Sequence, residues 1–277
     1  MSVQGKVFLV TGPTAGIGRE IAYALARQGA ELVLGCRDLE RGSRTAEELR
    51  AVPGAGGVEV MQVDTSSRRS IRDFAKTFRA ARPRLDVLVN NAGVSQGERK
   101  TSLDGVELTF ATNVLGYFLL TNELLPVLRE SAPARIVNVA SAFASDLDLD
   151  DLQFERRPYD GMKAYAQSKA CNRLWTWALA RRLAGTGVTA NAMTPGFVPG
   201  TELSRDMPPS IRAMFSTRGG RTAAEGADTA VWLATSPDLD GITSKFFSDR
   251  RERPCEFRAD ADEERLWSTC EHFTAAR

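Results

Sequence analysis

The sequence predicts an α/β fold with one doubly wound parallel sheet, and two observations support this prediction. Short apolar runs of strand length alternate with segments of helical periodicity along most of the chain. The 277 residues are 43% hydrophobic, which suffices for the large core of one α/β domain. Strands that alternate with helices form parallel sheets. Since the alternation is not broken by a linker, we expect a single domain over residues 1–277.

A glycine-rich turn follows the first apolar run, residues 6–10, and a helical segment begins directly after the turn. Glycines let the backbone approach a pyrophosphate, and the N-terminus of the following helix offers unpaired N–H groups. The spacing is Gly-x-x-x-Gly-x-Gly rather than G-x-G-x-x-G, so the flanking strand and helix carry the argument. This pattern predicts a Rossmann-type nucleotide site, with candidate contacts at Gly12, Thr14, Gly16, Ile17 and Gly18.

The second predicted strand, residues 31–36, ends where a dinucleotide fold contacts the adenosine ribose. An acidic residue there binds the 2′-hydroxyl, whereas an arginine accommodates a 2′-phosphate. This strand ends at Cys36 and is followed by Arg37, nineteen residues beyond Gly18. Arg41 follows one helical turn later. The two arginines favour NADP over NAD.

The alternation continues through the rest of the chain. It predicts helices over 39–52, 66–82 and most of 102–129, and strands over 58–63, 85–89, 134–139 and 187–193. Ligands of open parallel sheets bind beyond the carboxyl ends of the strands. The residues that fall at those ends include Gly12, Arg37, Asp64, Asn91, Ser141 and Pro195. We expect these residues to converge on one site.

Tyr165 and Lys169 lie four residues apart in a segment of helical character that ends near Gly185, so they share one helix face. A cation about 4 Å away stabilises a phenolate by roughly 4 kcal/mol at an effective dielectric constant of about 20. We therefore expect Lys169 to lower the pKa of Tyr165 from near 10 towards neutrality, where acid–base catalysts work best. Such a pair can exchange a proton with a carbonyl or alcohol oxygen.

A second Tyr-x-x-x-Lys pair, Tyr159 and Lys163, lies just upstream. It follows Pro158 and contains Gly161, and both residue types disfavour a helix. We expect this pair to lie in a loop with no fixed facing geometry.

Composition excludes several classes of protein. The net charge of +1 and the pI near 7.7 indicate no nucleic-acid surface. The single histidine, His272, leaves no basis for a Ser-His-Asp hydrolase. The four cysteines show no metal-ligand spacing, so we expect no metal site. With no run of eighteen apolar residues and a short polar N-terminus, we expect a cytoplasmic protein without a membrane anchor.

These motifs together resemble the short-chain dehydrogenase/reductase family. The resemblance rests on TGPTAGIG at 11–18, NNAG at 90–93 and YAQSK at 165–169, with Asn113, Ser141 and Pro195-Gly196 at matching positions. The retinol dehydrogenase and WW-domain oxidoreductase branch is the most similar, on Cys36-Arg37-Asp38 and the gap of twenty-four residues from Ser141 to Tyr165. The long gap predicts an active-site insertion near 143–163, and the segment near 258–274 reads as an amphipathic helical tail.

The resemblance implies an NADP(H)-dependent oxidoreductase that transfers hydride between the nicotinamide and a carbonyl or alcohol carbon. It implies that Tyr165 passes the proton, that Ser141 binds the substrate oxygen, and that Lys169 binds the nicotinamide ribose. Asn113 would hold a water relay to Lys169. The remaining implied cofactor contacts are Asp64, Thr65, Asn91, Ala92, Gly93, Pro195, Gly196, Val198 and Thr201, besides Tyr165 and Lys169 themselves. Gly200 occupies the place where family members carry a Thr or Ser, and Thr201 follows it.

Two alternatives stay open at this point, an NADPH-dependent double-bond reductase and a non-catalytic NADPH-binding regulatory protein. A hydrophobic carbonyl or alcohol substrate is expected from the apolar residues near the site. They are Phe143, Phe154, Phe197, Met207, Met214 and Phe215. The resemblance also implies a homodimer or homotetramer that pairs through the helix carrying Tyr165.

Overall fold

In the computed structural model, which describes residues 3–204, 206, 213 and 219–275, eight strands form one sheet. They are β1 (Val7–Thr11), β2 (Glu31–Cys36), β3 (Val58–Gln62), β4 (Val87–Asn90), β5 (Ala134–Val139), β6 (Val188–Met193), β7 (Phe246–Ser248) and β8 (Arg251–Arg253). Their order is β3-β2-β1-β4-β5-β6-β7-β8, and only the β7–β8 pair is antiparallel. The predicted doubly wound, Rossmann-type sheet is confirmed.

Helices cover both faces of this sheet. They are α1 (Gly16–Ala26), α2 (Leu39–Arg50), α3 (Arg68–Ala81), α4 (Leu108–Phe110), α5 (Gly116–Glu130), α6 (Gly161–Arg182), α7 (Ala223–Thr235) and α8 (Asp260–Thr274). One apolar core joins the sheet to α1, α2 and α7, and a second joins its other face to α3, α5, α6 and α8. None of the helices among the described residues combines the length and apolarity needed to cross a bilayer.

The strands form where the sequence has continuous apolar runs, because each central strand is covered on both faces. Every residue of β1 and β5 is buried. The strand order reverses between β1 and β4, so the connections that leave these two strands run in opposite directions. A crevice therefore opens at the carboxyl ends of β1 and β4, the place where such sheets bind ligands.

The segment 102–129 begins its helix later than the sequence indicated. Thr101 pairs with Glu107 in an isolated β-bridge, and the Glu107 carboxylate then caps α4 by accepting from the backbone N–H groups of Thr109 (2.9 Å) and Phe110 (2.6 Å). A π turn over Ala111–Leu115 joins α4 to α5. Helix α7 and strands β7 and β8 were not predicted from the sequence, and the two strands have only three residues each, too few to show a periodicity.

The predicted helical tail is present as α8, which packs on α5 and α6. Leu266 and Cys270 of α8 are fully buried, and the ring of Trp267 meets that of Phe118 edge to face, with 4.8 Å between centroids. Trp175 on α6 is fully buried under the same cluster. The helix α8 thus covers part of α6, the helix through which the resemblance implies that subunits pair.

Candidate active site

A cavity of about 450 Å³ lies at the carboxyl ends of the parallel strands. Most of the residues predicted to bind the cofactor line it, and they come from six separate segments. They are Gly12, Thr14, Gly16, Ile17, Gly18, Arg37, Asp64, Thr65, Asn91, Ala92, Gly93, Tyr165, Lys169, Pro195 and Thr201. Gly196 and Val198 do not lie on this wall. Val198 packs instead against Gly226 of α7, so these two predicted contacts are not supported.

The glycine loop lies too close to its neighbours for any larger residue. Gly12 has a φ of 65°, and a Cβ there would lie 2.9 Å from Ala92 Cα. A Cβ on Gly18 would lie 2.2 Å from the Gly12 carbonyl oxygen. The helix that follows, α1, has no side-chain cap and no acidic residue in its first turn. Its N-terminal N–H groups therefore fit an anionic group such as a pyrophosphate.

Asn91 supports this loop rather than pointing into the cavity. Its side-chain amide donates to the carbonyl oxygens of Thr11 (2.9 Å) and Gly12 (3.2 Å). The Thr11 hydroxyl accepts from the backbone N–H groups of Asn91 (2.9 Å) and Ala92 (3.1 Å). A ribose contact from this segment would thus come from its backbone and from Ala92 and Gly93.

Two arginines follow β2, and they differ in whether a carboxylate binds the guanidinium. Arg37 is exposed, and no residue in the described part of the chain pairs with its guanidinium. Arg41 forms two hydrogen bonds to the carboxylate of Glu202, at 2.7 and 3.0 Å, across the mouth of the cavity. The sequence carried no signal for this pair, because 161 positions separate its members.

Tyr165 and Lys169 line the cavity, and Ser141 lies next to Tyr165 without reaching the cavity wall. Asp160 caps α6 by accepting from the N–H groups of Met162 and Lys163, which sets the register of the helix. The Ser141 hydroxyl lies close enough to Tyr165 to favour its phenolate, and it accepts from the Phe143 N–H at 3.0 Å. The Lys169 ammonium donates to the Val139 carbonyl at 2.9 Å and lies 5.7 Å from the centre of the Tyr165 ring. The predicted constellation is therefore assembled.

The expected lowering of the Tyr165 pKa by Lys169 is wrong for this structure. Burial raises the pKa of Tyr165 to about 12, and the hydrogen bond from Ser141 only partly opposes it. Burial also lowers the pKa of Lys169 to about 7. In an apolar site both neutral forms are favoured, and this desolvation outweighs the attraction between the two charged forms.

Asn113 lies in the π turn between α4 and α5, a feature often found at functional sites. Its side chain is fully buried, accepts from the Val94 N–H (2.8 Å), and donates to the Val94 carbonyl (2.9 Å) and the Ser168 hydroxyl (3.0 Å). It therefore ties the loop after β4 to the helix that carries Tyr165. Its role in a water relay stays a prediction.

The second tyrosine, Tyr159, has a fixed geometry, contrary to expectation. Its hydroxyl donates to Glu107 at 3.1 Å, and its ring meets Phe154 edge to face at 5.4 Å. Lys163 lies in the first turn of α6 rather than in a loop. The contact with a buried carboxylate supplies the anchor that the local sequence does not show. Neither Tyr159 nor Lys163 lines the cavity.

The insertion at 143–163 is fastened to the catalytic helix through Gln167, which sequence reasoning missed. The Gln167 side-chain oxygen accepts from the Asp148 N–H (2.9 Å) and from the Arg157 guanidinium (2.6 Å). Phe154 is buried within this insertion and does not line the cavity, nor do Phe143 and Phe197. Met207, Met214 and Phe215 lie outside the described residues.

Comparisons with known proteins show the family of this chain. The family model described as short chain dehydrogenase matches residues 6–211. Retinol dehydrogenase 14 of Homo sapiens is 40% identical over 270 residues, which cover 90% of this chain and 80% of that protein. Retinol dehydrogenase 12 of Mus musculus is 40% identical over 278 residues, with 98% and 87% covered.

Solved structures share both the fold and part of the sequence. A crystal structure of an uncharacterized protein from Mycobacterium paratuberculosis has a TM-score of 0.79 at 31% identity and covers 99% of this chain and 94% of that one. The Pseudomonas aeruginosa RhlG/NADP active-site complex has a TM-score of 0.71 at 32% identity, with 89% and 95% covered. This chain belongs to the short-chain dehydrogenase family, and it is an oxidoreductase that uses a nicotinamide cofactor on alcohols or carbonyls.

Proposed function

We propose that this protein is an NADP(H)-dependent carbonyl reductase or alcohol dehydrogenase in which Tyr165 is the acid–base residue. One observation carries the proposal. Tyr165 and Lys169 line the same 450 Å³ cavity as Arg37, Ser141 lies next to Tyr165, and no carboxylate among the described residues pairs with the Arg37 guanidinium. A dinucleotide that spans this cavity would present its nicotinamide to the tyrosine.

The residues along the cavity fit such a cofactor. The Gly12–Gly18 loop and the N-terminus of α1 would hold the pyrophosphate, and Arg37 would hold a 2′-phosphate. Asp64 and Thr65, which line the cavity, would contact the adenine, and Lys169 would contact the nicotinamide ribose. When bound, the nicotinamide supplies or accepts the hydride.

The proton chemistry follows from the burial of Tyr165. With a pKa of about 12 the phenol is protonated at neutral pH, so it can donate to the oxygen of a carbonyl substrate. The Ser141 hydroxyl, which lies next to Tyr165, would orient that oxygen. Lys169, with a pKa near 7, can carry a proton at the pH of turnover and stabilise the phenolate that donation leaves. In the oxidation direction, the same phenolate accepts the alcohol proton.

The preference for NADP rests on Arg37. A guanidinium forms charge-assisted, often bidentate, hydrogen bonds to phosphate. Cys36 and Arg37 stand where an NAD-specific protein would carry an acidic residue. The similar RhlG structure is a complex with NADP, which supports the same choice.

The substrate class that we propose is a hydrophobic aldehyde, ketone or alcohol. The curated relatives are named retinol dehydrogenases, and retinol is a long apolar alcohol. Phe143, two residues after Ser141, does not line the cavity, but it is 48% exposed and its N–H contacts the Ser141 hydroxyl, so it offers an apolar surface near Ser141.

A substrate panel tests this proposal. Purified protein is incubated with NADPH and apolar ketones, aldehydes or enones, and the loss of NADPH absorbance is followed. We expect turnover with ketones or aldehydes, and a fall of about 10²–10⁴-fold in Tyr165→Phe with the NADPH Kd unchanged. Turnover of enones alone would indicate a double-bond reductase. NADPH binding without turnover of any substrate would indicate a regulatory protein.

A further inference from the structure

A buried arginine, Arg173, lies one helical turn beyond Lys169 on α6. It is only 5% exposed, and its position places it on the side of the helix that carries Tyr165 and Lys169. Its guanidinium donates a hydrogen bond to the backbone carbonyl of Ser141. The side chain thus reaches back from the catalytic helix to the strand end that holds the serine.

Two aromatic rings hold the guanidinium in place. Its central carbon lies 3.8 Å from the ring centre of Phe246 on β7 and 5.6 Å from that of Phe257, which precedes α8. The Nε atom is buried without a hydrogen-bond partner in the described part of the chain. Burial lowers the pKa of Arg173, while Cys255 and Glu256 oppose that shift.

Burying a guanidinium costs free energy, and a well-packed apolar side chain at the same position often gives an equally or more stable fold. The aromatic contacts alone would not require a charge, since an apolar side chain could also pack against these rings. What the charge adds is a strong, directed donor. Among the described residues that donor is directed at the Ser141 carbonyl, and the Cys255 side chain lies close enough to favour the charged form.

The backbone around Ser141 is held from two sides. Arg173 binds the carbonyl of Ser141, and the Thr194 hydroxyl accepts from the N–H of the next residue, Ala142, at 2.8 Å. The peptide between Ser141 and Ala142 is therefore fixed at both of its polar atoms. Rotation of this peptide would move the Ser141 hydroxyl away from Tyr165.

We propose that Arg173 is a positioning residue, which holds the Ser141 backbone so that its hydroxyl meets Tyr165, and that Phe246 and Phe257 lock Arg173 for this purpose. The inference rests on the proposed function, because it assigns Ser141 to the substrate oxygen. It also links the C-terminal segment 246–257 to the reacting groups, although no residue of that segment lines the cavity.

Kinetic comparison of Arg173→Met and Arg173→Lys tests the proposal. Misplacing a reacting group by about 1 Å can cost as much as 10²-fold, so we expect kcat to fall about 10- to 100-fold in Arg173→Met. The Kd for NADPH should stay unchanged, and Arg173→Lys, which keeps a cationic donor, should recover part of kcat. Equal losses in both variants, or a weaker Kd alone, would overturn the positioning role.

Arg135 offers a matched control. It is also 5% exposed and also donates to backbone carbonyls, those of Leu233 and Ser236, but it makes no contact with Ser141. Arg135→Met should lower the free energy of unfolding and leave kcat within about 2-fold. If Arg135→Met lowered kcat as much as Arg173→Met, loss of any buried arginine would lower kcat, and the specific role of Arg173 would be refuted.

A double-mutant cycle separates positioning from general damage. If Arg173 acts through Ser141, Arg173→Met should change kcat very little in a Ser141→Ala background. Additive losses would overturn the proposal. A crystal structure of Arg173→Met gives a readout independent of turnover, and we expect the Ser141 hydroxyl to have left Tyr165. An unmoved serine would refute the inference, whereas a wild-type protein without carbonyl turnover would refute only the proposed function.

Discussion

Lys169 and Tyr165 show that burial can outweigh a favourable neighbour. Spacing on a helix predicts that an ammonium stabilises a phenolate, yet Lys169 is buried, Tyr165 is half-buried, and both pKa values move towards the neutral form. The distance also weakens the effect of Lys169 on Tyr165, since the ammonium lies 5.7 Å from the centre of the tyrosine ring and donates its hydrogen bond to the Val139 carbonyl. A sequence shows which groups face each other, but it does not show the polarity around them.

This shift makes stability depend on pH. Lys169 has a pKa near 7 when folded and the ordinary value of 10.5 when unfolded, so between these values the unfolded chain binds the extra proton. The contribution of Lys169 to stability therefore rises with pH across this window. Lys169→Met lacks this pH-dependent contribution. The free energy of unfolding of Lys169→Met minus that of wild type should therefore decrease as pH rises from about 7 to about 9. Urea unfolding at both pH values measures this change, and a constant difference would contradict it.

Arg37 is expected to select the cofactor. Arg37→Asp should weaken NADP binding about 10-fold or more, because it removes a charge-assisted phosphate contact and adds repulsion. NAD binding should change much less or improve. Titration calorimetry with both cofactors measures the ratio, and unchanged NADP affinity would mean that Arg37 does not contact the 2′-phosphate.

Glu202 is expected to lower the affinity for NADP, because its carboxylate binds the Arg41 guanidinium beside the expected phosphate position. Glu202→Gln should strengthen NADP binding by up to about 5-fold and leave NAD binding unchanged, as expected for an exposed ion pair. Glu48 is a suitable control, since it pairs with Arg19 at 2.7 Å and lies outside the cavity. A similar gain in Glu48→Gln would indicate a general charge effect.

At the scale of the element, the start of α4 explains why Tyr159 has a fixed position. The Glu107 carboxylate accepts from the Tyr159 hydroxyl and from two N–H groups of α4, which leads into the π turn that carries Asn113. The insertion at 143–163 is therefore attached at Glu107 as well as at Gln167. Local propensity could not show this arrangement, since the carboxylate comes from a different part of the chain.

Tyr159→Phe should separate this structural role from catalysis. The variant loses one hydrogen bond to a buried carboxylate, so the free energy of unfolding should fall by about 1–3 kcal/mol. Turnover should stay within a small factor of wild type, because Tyr159 does not line the cavity. Chemical denaturation and steady-state kinetics measure the two effects. A turnover loss as large as that of Tyr165→Phe would mean that Tyr159 contacts the substrate.

At the scale of the whole molecule, α8 closes one face of the fold over α5 and α6. Trp267 is 6% exposed, with its ring against Phe118 and the Arg182 guanidinium 3.9 Å from its centre. A homodimer or homotetramer stays a prediction, and pairing through this face of α6 would require α8 to move. The C-terminal helix is thus part of the core of the protein and not an appendage.

Trp267→Ala should leave a cavity beneath α8. Replacing a buried Trp by Ala costs about 3–5 kcal/mol, so the unfolding midpoint in urea should fall markedly. The NADPH Kd should not change, since Trp267 lies outside the cavity at the strand ends. An unchanged midpoint would mean that α8 contributes little to the folded state.

The doubly wound sheet, the glycine loop and the set of Ser141, Tyr165 and Lys169 could be predicted from the amino-acid sequence. These features depend on periodicity and on motifs whose parts lie at the ends of predictable strands or four residues apart on one helix. The folded structure was needed to show which residues are buried, which charges are already paired, and which side chain holds the Ser141 backbone. The reason is that burial, the Arg41–Glu202 pair and the Arg173 contact all depend on segments that are distant in the chain and meet only on folding.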